Sequence, residues 1–305
     1  MNQIVVTQNS LRNLRRLAAQ RDLYSEAKRI QVWLIAVSTM AVIIWSGLSL
    51  ANPVLKPYAS LWACCATLLD VLVLSPMVKD KKSKAARIQE EFDCDVLELQ
   101  WSDCKAGDRA EPELLSKHHD KGESDPDFEK LKDWYPANVQ KIPLHLARLL
   151  CQRSCGWWER NLRQRYARTA MIVVVLAIIV IVVLGMLSGA TVVNAVSVVL
   201  MIQPSLILLV RIHRENNDAA ENAERVRKLA EGLWRRAVSG QLTPDEATVE
   251  SRHLQNEIFD HRVRSPLVFD WIYNWLRDRH EEQMQAGTAV LIEEYFRKRP
   301  ETSTN

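Results

Sequence analysis

Glycine is scarce in this chain, with nine in 305 residues. No phosphate-cradling G-x-x-x-x-G-K-[ST] or G-x-G-x-x-G run occurs. Neither does a G-x-S-x-G nucleophile elbow or an H-E-x-x-H pair. These gaps argue against a nucleotide hydrolase, a dinucleotide enzyme, a serine hydrolase and a zinc protease, so the chain is read as a non-enzyme. Six cysteines in a chain this long exclude a secreted disulfide scaffold. Zinc needs about four convergent ligands. Cys151 and Cys155 lie one helical turn apart, and Cys94, Cys104, His118, His119 and His145 share their segment, but none has finger or ribbon spacing. Small buried cysteines are the expectation, with no metal and no resident cofactor.

The most informative absence is charge. A quarter of the residues are charged and the net is +3, averages that fit an ordinary soluble protein. Yet residues 169–210 and 32–51 contain no Asp, Glu, Lys or Arg, and 57–78 contain one, Asp70. About 18 uncharged residues can cross the ~30 Å hydrocarbon core as a helix. The run 169–210 would be about twice that thickness as one helix, so it is expected to fold back at Ser188-Gly189. This predicts an all-α integral membrane protein with four transmembrane helices in two hairpins, near 32–51, 57–78, 169–187 and 191–210. The competing readings are buried core helices, or a first span that is a cleaved signal peptide. The second is disfavoured by the 31 polar residues before that span.

Five regions follow. Residues 1–31 are a basic amphipathic helix, 32–78 the first hairpin, 79–168 a cytoplasmic middle region, 169–210 the second hairpin and 211–305 a helical C-terminal region. Fifteen Lys and Arg near the span ends fall on one side, against Lys56 alone in the short opposite loops. That asymmetry predicts cytoplasmic termini and a cytoplasmic middle region.

Leu11, Leu14, Leu17 and Ala18 alternate with arginines, as in a helix lying on anionic lipid or a solvated helix leading into the first span. The stretch from Pro143 to Arg168 suits a helix at the membrane interface. Thr243-Pro244-Asp245-Glu246 carries a capping signature, Gly240 is expected to stop the preceding helix, and Ser265-Pro266 is expected to start the next.

Asp70, with Thr67 one turn before it, is the sharpest candidate. A carboxylate at membrane depth costs ~2.5–3.5 kcal/mol on insertion scales unless it faces water, a partner or a protein interior. Asn194 and Ser197 in the fourth span line a conduction path or bond between helices. Four helices are too few to enclose a wide pore, so conduction implies a homo-oligomer. In the C-terminal region, Arg252, His253, Arg262 and Arg264 precede Trp271 and Tyr273, a mixture that binds phosphates and stacks bases. The competing reading is a solvated basic helix face beside core aromatics.

The runs AARIQEEFDCDVLELQW, DWYP, IPLHLARLLCQRSCGWWERNLRQRYAR and RHLQNEIFDHRVRSPLVFDWIYNWLR resemble the SMODS-associated four-transmembrane effector family. The resemblance implies a bacterial antiphage system in which a nucleotidyltransferase makes a cyclic di- or trinucleotide. The effector then forms or gates a pore in the inner membrane. The implied partners are the lipid bilayer, further copies of the chain and the cyclic oligonucleotide, with no DNA or RNA polymer. A non-conducting membrane adaptor and a small transporter are the alternatives. No residue roles are carried over from the family.

Overall fold

The computed structural model describes residues 2–36, 40, 44–45, 48, 52–123, 128–187 and 192–298. Some side chains within these helices, including those of 192–205 and 271–272, lie outside the described set. Among the described residues every regular element is helical, so the all-α expectation holds. The helices are α1 (Ile4–Gln8), α2 (Leu11–Ile35), α3 (Lys56–Leu69), α4 (Ser75–Val96), α5 (Asp103–Ala106) and α6 (Pro112–Glu123). They continue with α7 (Leu144–Leu187), α8 (Val192–Val238), α9 (Pro244–Arg264) and α10 (Asp270–Lys298). A π-helical turn, Asp70–Leu74, joins α3 to α4. Pro76 accounts for it: proline has no N–H for the carbonyl four residues back, and its ring crowds that carbonyl, so the helix widens just upstream.

The chain divides into two compact units. One comprises Met1–Tyr24, Lys82–Arg163 and Ala219–Asn305; the other Ser25–Lys81 and Gln164–Asp218.

The first unit is built like a soluble protein. Ile4, Leu17, Phe92, Tyr135, Leu146, Leu149, Leu150, Trp234 and Ile292 share one buried core. Phe92 stacks on Tyr135 with ring centroids 6.2 Å apart. Each such side chain gains about 1.5–3 kcal/mol from leaving water. Leu14, Leu17 and Ala18 belong to this core, so most of the apolar face of the N-terminal helix packs on protein, while Leu11 stays exposed. Likewise, the stretch expected to lie along the interface is the first part of α7, with Leu146, Leu149 and Leu150 all buried.

α8 ends at Val238, and Gly240 follows at φ +76°, a conformation that suits glycine. The α9 capping box is formed. Glu246 N–H donates to Thr243 Oγ1 (3.2 Å), and Thr243 N–H donates back to Glu246 Oε2 (2.8 Å). α10, however, begins at Asp270 and not at Ser265-Pro266. Ser265 terminates α9 instead, its N–H donating to His261 O. Its own carbonyl takes a bond from Lys82 Nζ (2.9 Å), and that of Pro266 one from Arg163 Nη1 (3.0 Å). Those carbonyls are held by side chains, not by a helical turn.

α7 and α8 meet closely at Gly156. A Cβ there would lie 2.9 Å from Arg227 N and 3.0 Å from Ala223 O, both backbone atoms. Ion pairs flank the contact: Arg153 with Glu231 (3.5 Å), Arg160 with Glu224 (3.2 Å), and Arg227 with both glutamates. Arg227, with Arg160 and Lys228, holds the Glu224 carboxyl below its ordinary range against some burial. For Glu231 burial pulls upward, but Arg235, Arg227 and Arg153 prevail and lower it.

The second unit has the opposite surface. Trp33, Leu61, Leu68, Val71, Leu72, Ile172, Leu176, Ile179, Val183 and Leu187 are all exposed, Leu72 at 69% and Leu187 at 79%. Among the described residues no helix is long and apolar enough to cross a membrane. The run 32–51 and the expected turn at Ser188-Gly189 include residues outside the described set.

Candidate functional site

The first unit contains a buried network of charge. Glu90 and Asp93, one turn apart on α4, are 1% and 0% exposed. Ionised carboxylates at such depth require cations and full hydrogen bonding. α9 supplies these. Arg262 Nη1 lies 2.5 Å from Asp93 Oδ2, and Arg252 Nη2 lies 2.6 Å from Glu90 Oε1. Gln255 Nε2 donates to both carboxylates, at 2.8 Å each. Tyr135 Oη donates to the other Asp93 oxygen at 2.7 Å. Arg252 also donates to Gln100 O (2.9 Å), to Asn256 Oδ1 (2.8 Å) and to Cys94 Sγ (3.2 Å). The network reaches α7 through Gln152, whose Nε2 donates to Gln255 Oε1 and Ser251 O. It reaches α1 through Gln8, whose side-chain amide exchanges two bonds with the Tyr135 backbone.

Burial pushes the Glu90 carboxyl above its ordinary value and Asp93 adds to this, while Arg262, Arg252 and Gln255 pull it back. Burial alone would lower Arg262, but Asp93 and its neighbours hold it above the ordinary arginine value. Burial drives Tyr135 well upward, with Asp93 adding, so its hydroxyl stays a donor. Burial also lifts the Cys94 thiol to about 12 and the Cys155 thiol to about 11, which leaves both inert as nucleophiles.

Arg252 and Arg262, expected as ligand contacts, are therefore committed to internal carboxylates. An incoming phosphate must compete with Glu90 and Asp93 for them. His253 and Arg264 are exposed on α9. His253 lies 3.9 Å from Glu250. Tyr273 packs against Trp158, centroids 6.1 Å apart, so it serves the contact between α10 and α7. The Trp271 side chain lies outside the described residues, as do those of Asn194 and Ser197.

A neighbouring cluster ties α7 to α9. Arg163 Nε lies 2.7 Å from Glu159 Oε2, and His261 Nε2 lies 3.6 Å from the same oxygen. Burial would raise Glu159, but Arg163 and the His261 hydrogen bond hold its carboxyl below the ordinary range. Elsewhere in the unit, His118 Nδ1 lies 2.6 Å from Asp22 Oδ2. The partners in these clusters are far apart in sequence. Residue type alone marked Arg252 and Arg262, and nothing in the spacing named Glu90 or Asp93 as their counterparts.

In the second unit, Asp70 opens the π-helical turn. Ser75 closes it twice: its N–H donates to Asp70 O, and its hydroxyl donates to Asp70 Oδ1 at 2.6 Å. Thr67 is exposed one turn before. Asp70 is only partly exposed, whereas Leu68, Leu69, Val71, Leu72 and Val73 around it are exposed.

Residues 2–291 match the model of the SMODS-associating 4TM effector domain, and the chain belongs to that family. It is 24% identical over 291 residues to a Bacillus cereus (strain VD146) protein described as a probable CBASS effector molecule. That alignment covers 93% of this chain and 96% of the relative. No solved structure matches the chain.

Proposed function

We propose that this chain is a membrane effector of a bacterial antiphage defence system that signals through cyclic oligonucleotides. In this reading four helices, two hairpins, hold the second unit in the inner membrane as an oligomer that forms or gates a pore. Both termini and the middle region face the cytoplasm. The observation that carries the reading is the apolar surface of the second unit. Leucines, isoleucines and valines that a soluble protein would cover stand exposed on helices whose other halves are packed normally. An exposed apolar surface of this extent marks contact with lipid or with further subunits. The family match supports the setting, and the charge asymmetry supports the orientation.

A cyclic di- or trinucleotide made by a partner nucleotidyltransferase is the expected activator. Its phosphates would meet the exposed His253 and Arg264 on α9 first, and would reach Arg252 or Arg262 only by displacing Glu90 or Asp93. Such a ligand opens the assembly only if it binds the open form more tightly than the closed one. α4 and α7, which hold the charge network, continue without a linker into the apolar stretches.

The test is membrane potential in cells that make the protein, supplied in turn with cyclic di-AMP, cyclic di-GMP, cyclic GMP–AMP and cyclic tri-AMP. Depolarisation that requires both protein and one nucleotide is expected. Unchanged potential across the set overturns the proposal.

A further inference from the structure

Resting on the pore reading, the geometry points to a further assignment: Asp70 is the group that makes the conduit select cations, and Ser75 is its positioning residue. Three observations converge on it. Asp70 is the one charged residue between 57 and 78. Its side chain is more sheltered than the apolar residues on either side of it, and among the described residues its hydrogen-bond partner is a neutral hydroxyl, Ser75 Oγ at 2.6 Å. The turn that presents it is π-helical, a local widening set by Pro76 that recurs at functional positions in long helices. Lipid does not accept a bare carboxylate, so Asp70 turns towards water, towards further copies of the chain or towards the protein's own interior, and the pore reading selects the first two. Repeated by symmetry around a conduit, Asp70 forms a ring of carboxylates, an arrangement that favours cations and repels anions. The Ser75 bond fixes which way the carboxylate points. Loss of that bond should blunt selectivity while leaving the path open.

The experiment is current through planar bilayers holding the full-length protein, under a potassium chloride gradient, with the same four cyclic nucleotides as probes. The wild type is expected to pass potassium over chloride by a factor on the order of ten, as one fixed charge near the path allows. Asp70→Asn should bring the ratio close to one, Asp70→Glu should retain it, and Ser75→Ala should lower it with the conductance unchanged. A wild-type current without cation preference, or an Asp70→Asn variant as selective as the wild type, overturns this assignment and leaves the pore reading standing. No current with any probe overturns the pore reading and the assignment together.

Discussion

Leu149 and Leu176 lie on the same helix, α7, and meet opposite surroundings. The first is wholly buried in the core that also holds Phe92 and Tyr135; the second is 54% exposed amid other exposed aliphatic side chains. The same contrast holds between the two units. The first spends its apolar residues on a core and its charges on paired networks; the second buries a few, such as Ala27 and Val174, and leaves many large aliphatic side chains uncovered. Covered leucines report a solvent of water, where burial is the source of stability. Uncovered leucines over whole helical turns are what the proposed membrane setting would require, and that is the physical content of the proposal.

The comparison can be broken or sharpened by substitution, read as unfolding of the detergent-solubilised chain. The largest effect is expected from Asp93→Ala. It leaves the buried Arg262 guanidinium without its nearest carboxylate, with Glu90 3.9 Å away, and should cost about 3–5 kcal/mol. Leu149→Ala should cost about 2–5 kcal/mol by opening a cavity, while Leu176→Ala should change stability by no more than about 0.5 kcal/mol. Equal costs at the two leucines would erase the distinction between the units. Gly156→Ala places a methyl group against the α8 backbone and should cost about 1–3 kcal/mol. A silent Gly156→Ala would show that the helices can part there freely.

Acid should weaken the first unit selectively. Glu159, Glu224 and Glu231 are held below the ordinary carboxyl value of 4.5, so their contribution is complete above that pH and is lost as pH falls below it. Glu90 acts in the reverse sense: raised by burial, it favours the folded state less as pH climbs through its own range. With three carboxyls against one, melting temperature should fall between about pH 5 and about pH 3.5. A flat profile would contradict the assigned pairings. Thr243→Ala, which removes the α9 cap, should cost about 0.5–2 kcal/mol.

Features set by neighbouring residues were readable in the sequence. The Thr243–Glu246 box, the stop at Gly240 and the helical class all depend on contacts within a turn or two. The Ser265-Pro266 signature fails to start a helix for the same reason. Its local signature is genuine, but distant Lys82 and Arg163 capture the carbonyls a helix there would have used. Arg252 and Arg262 drew notice by residue type, yet their counterparts lie on α4, more than 150 residues away, and no local pattern encodes that pairing. The amphipathic faces of α2 and α7 were visible too. Amphipathicity states that one face avoids water, not whether lipid or protein covers it, and here protein does. The π turn at Asp70 had a visible cause in Pro76, a proline within an otherwise helical apolar run.

The central claim, that the second unit is embedded in a bilayer, is tested most directly by alkaline carbonate extraction of membranes from cells making the full chain. The account predicts that the protein stays in the membrane pellet and is released only by detergent. Release into the carbonate supernatant as a folded, monodisperse particle would contradict it.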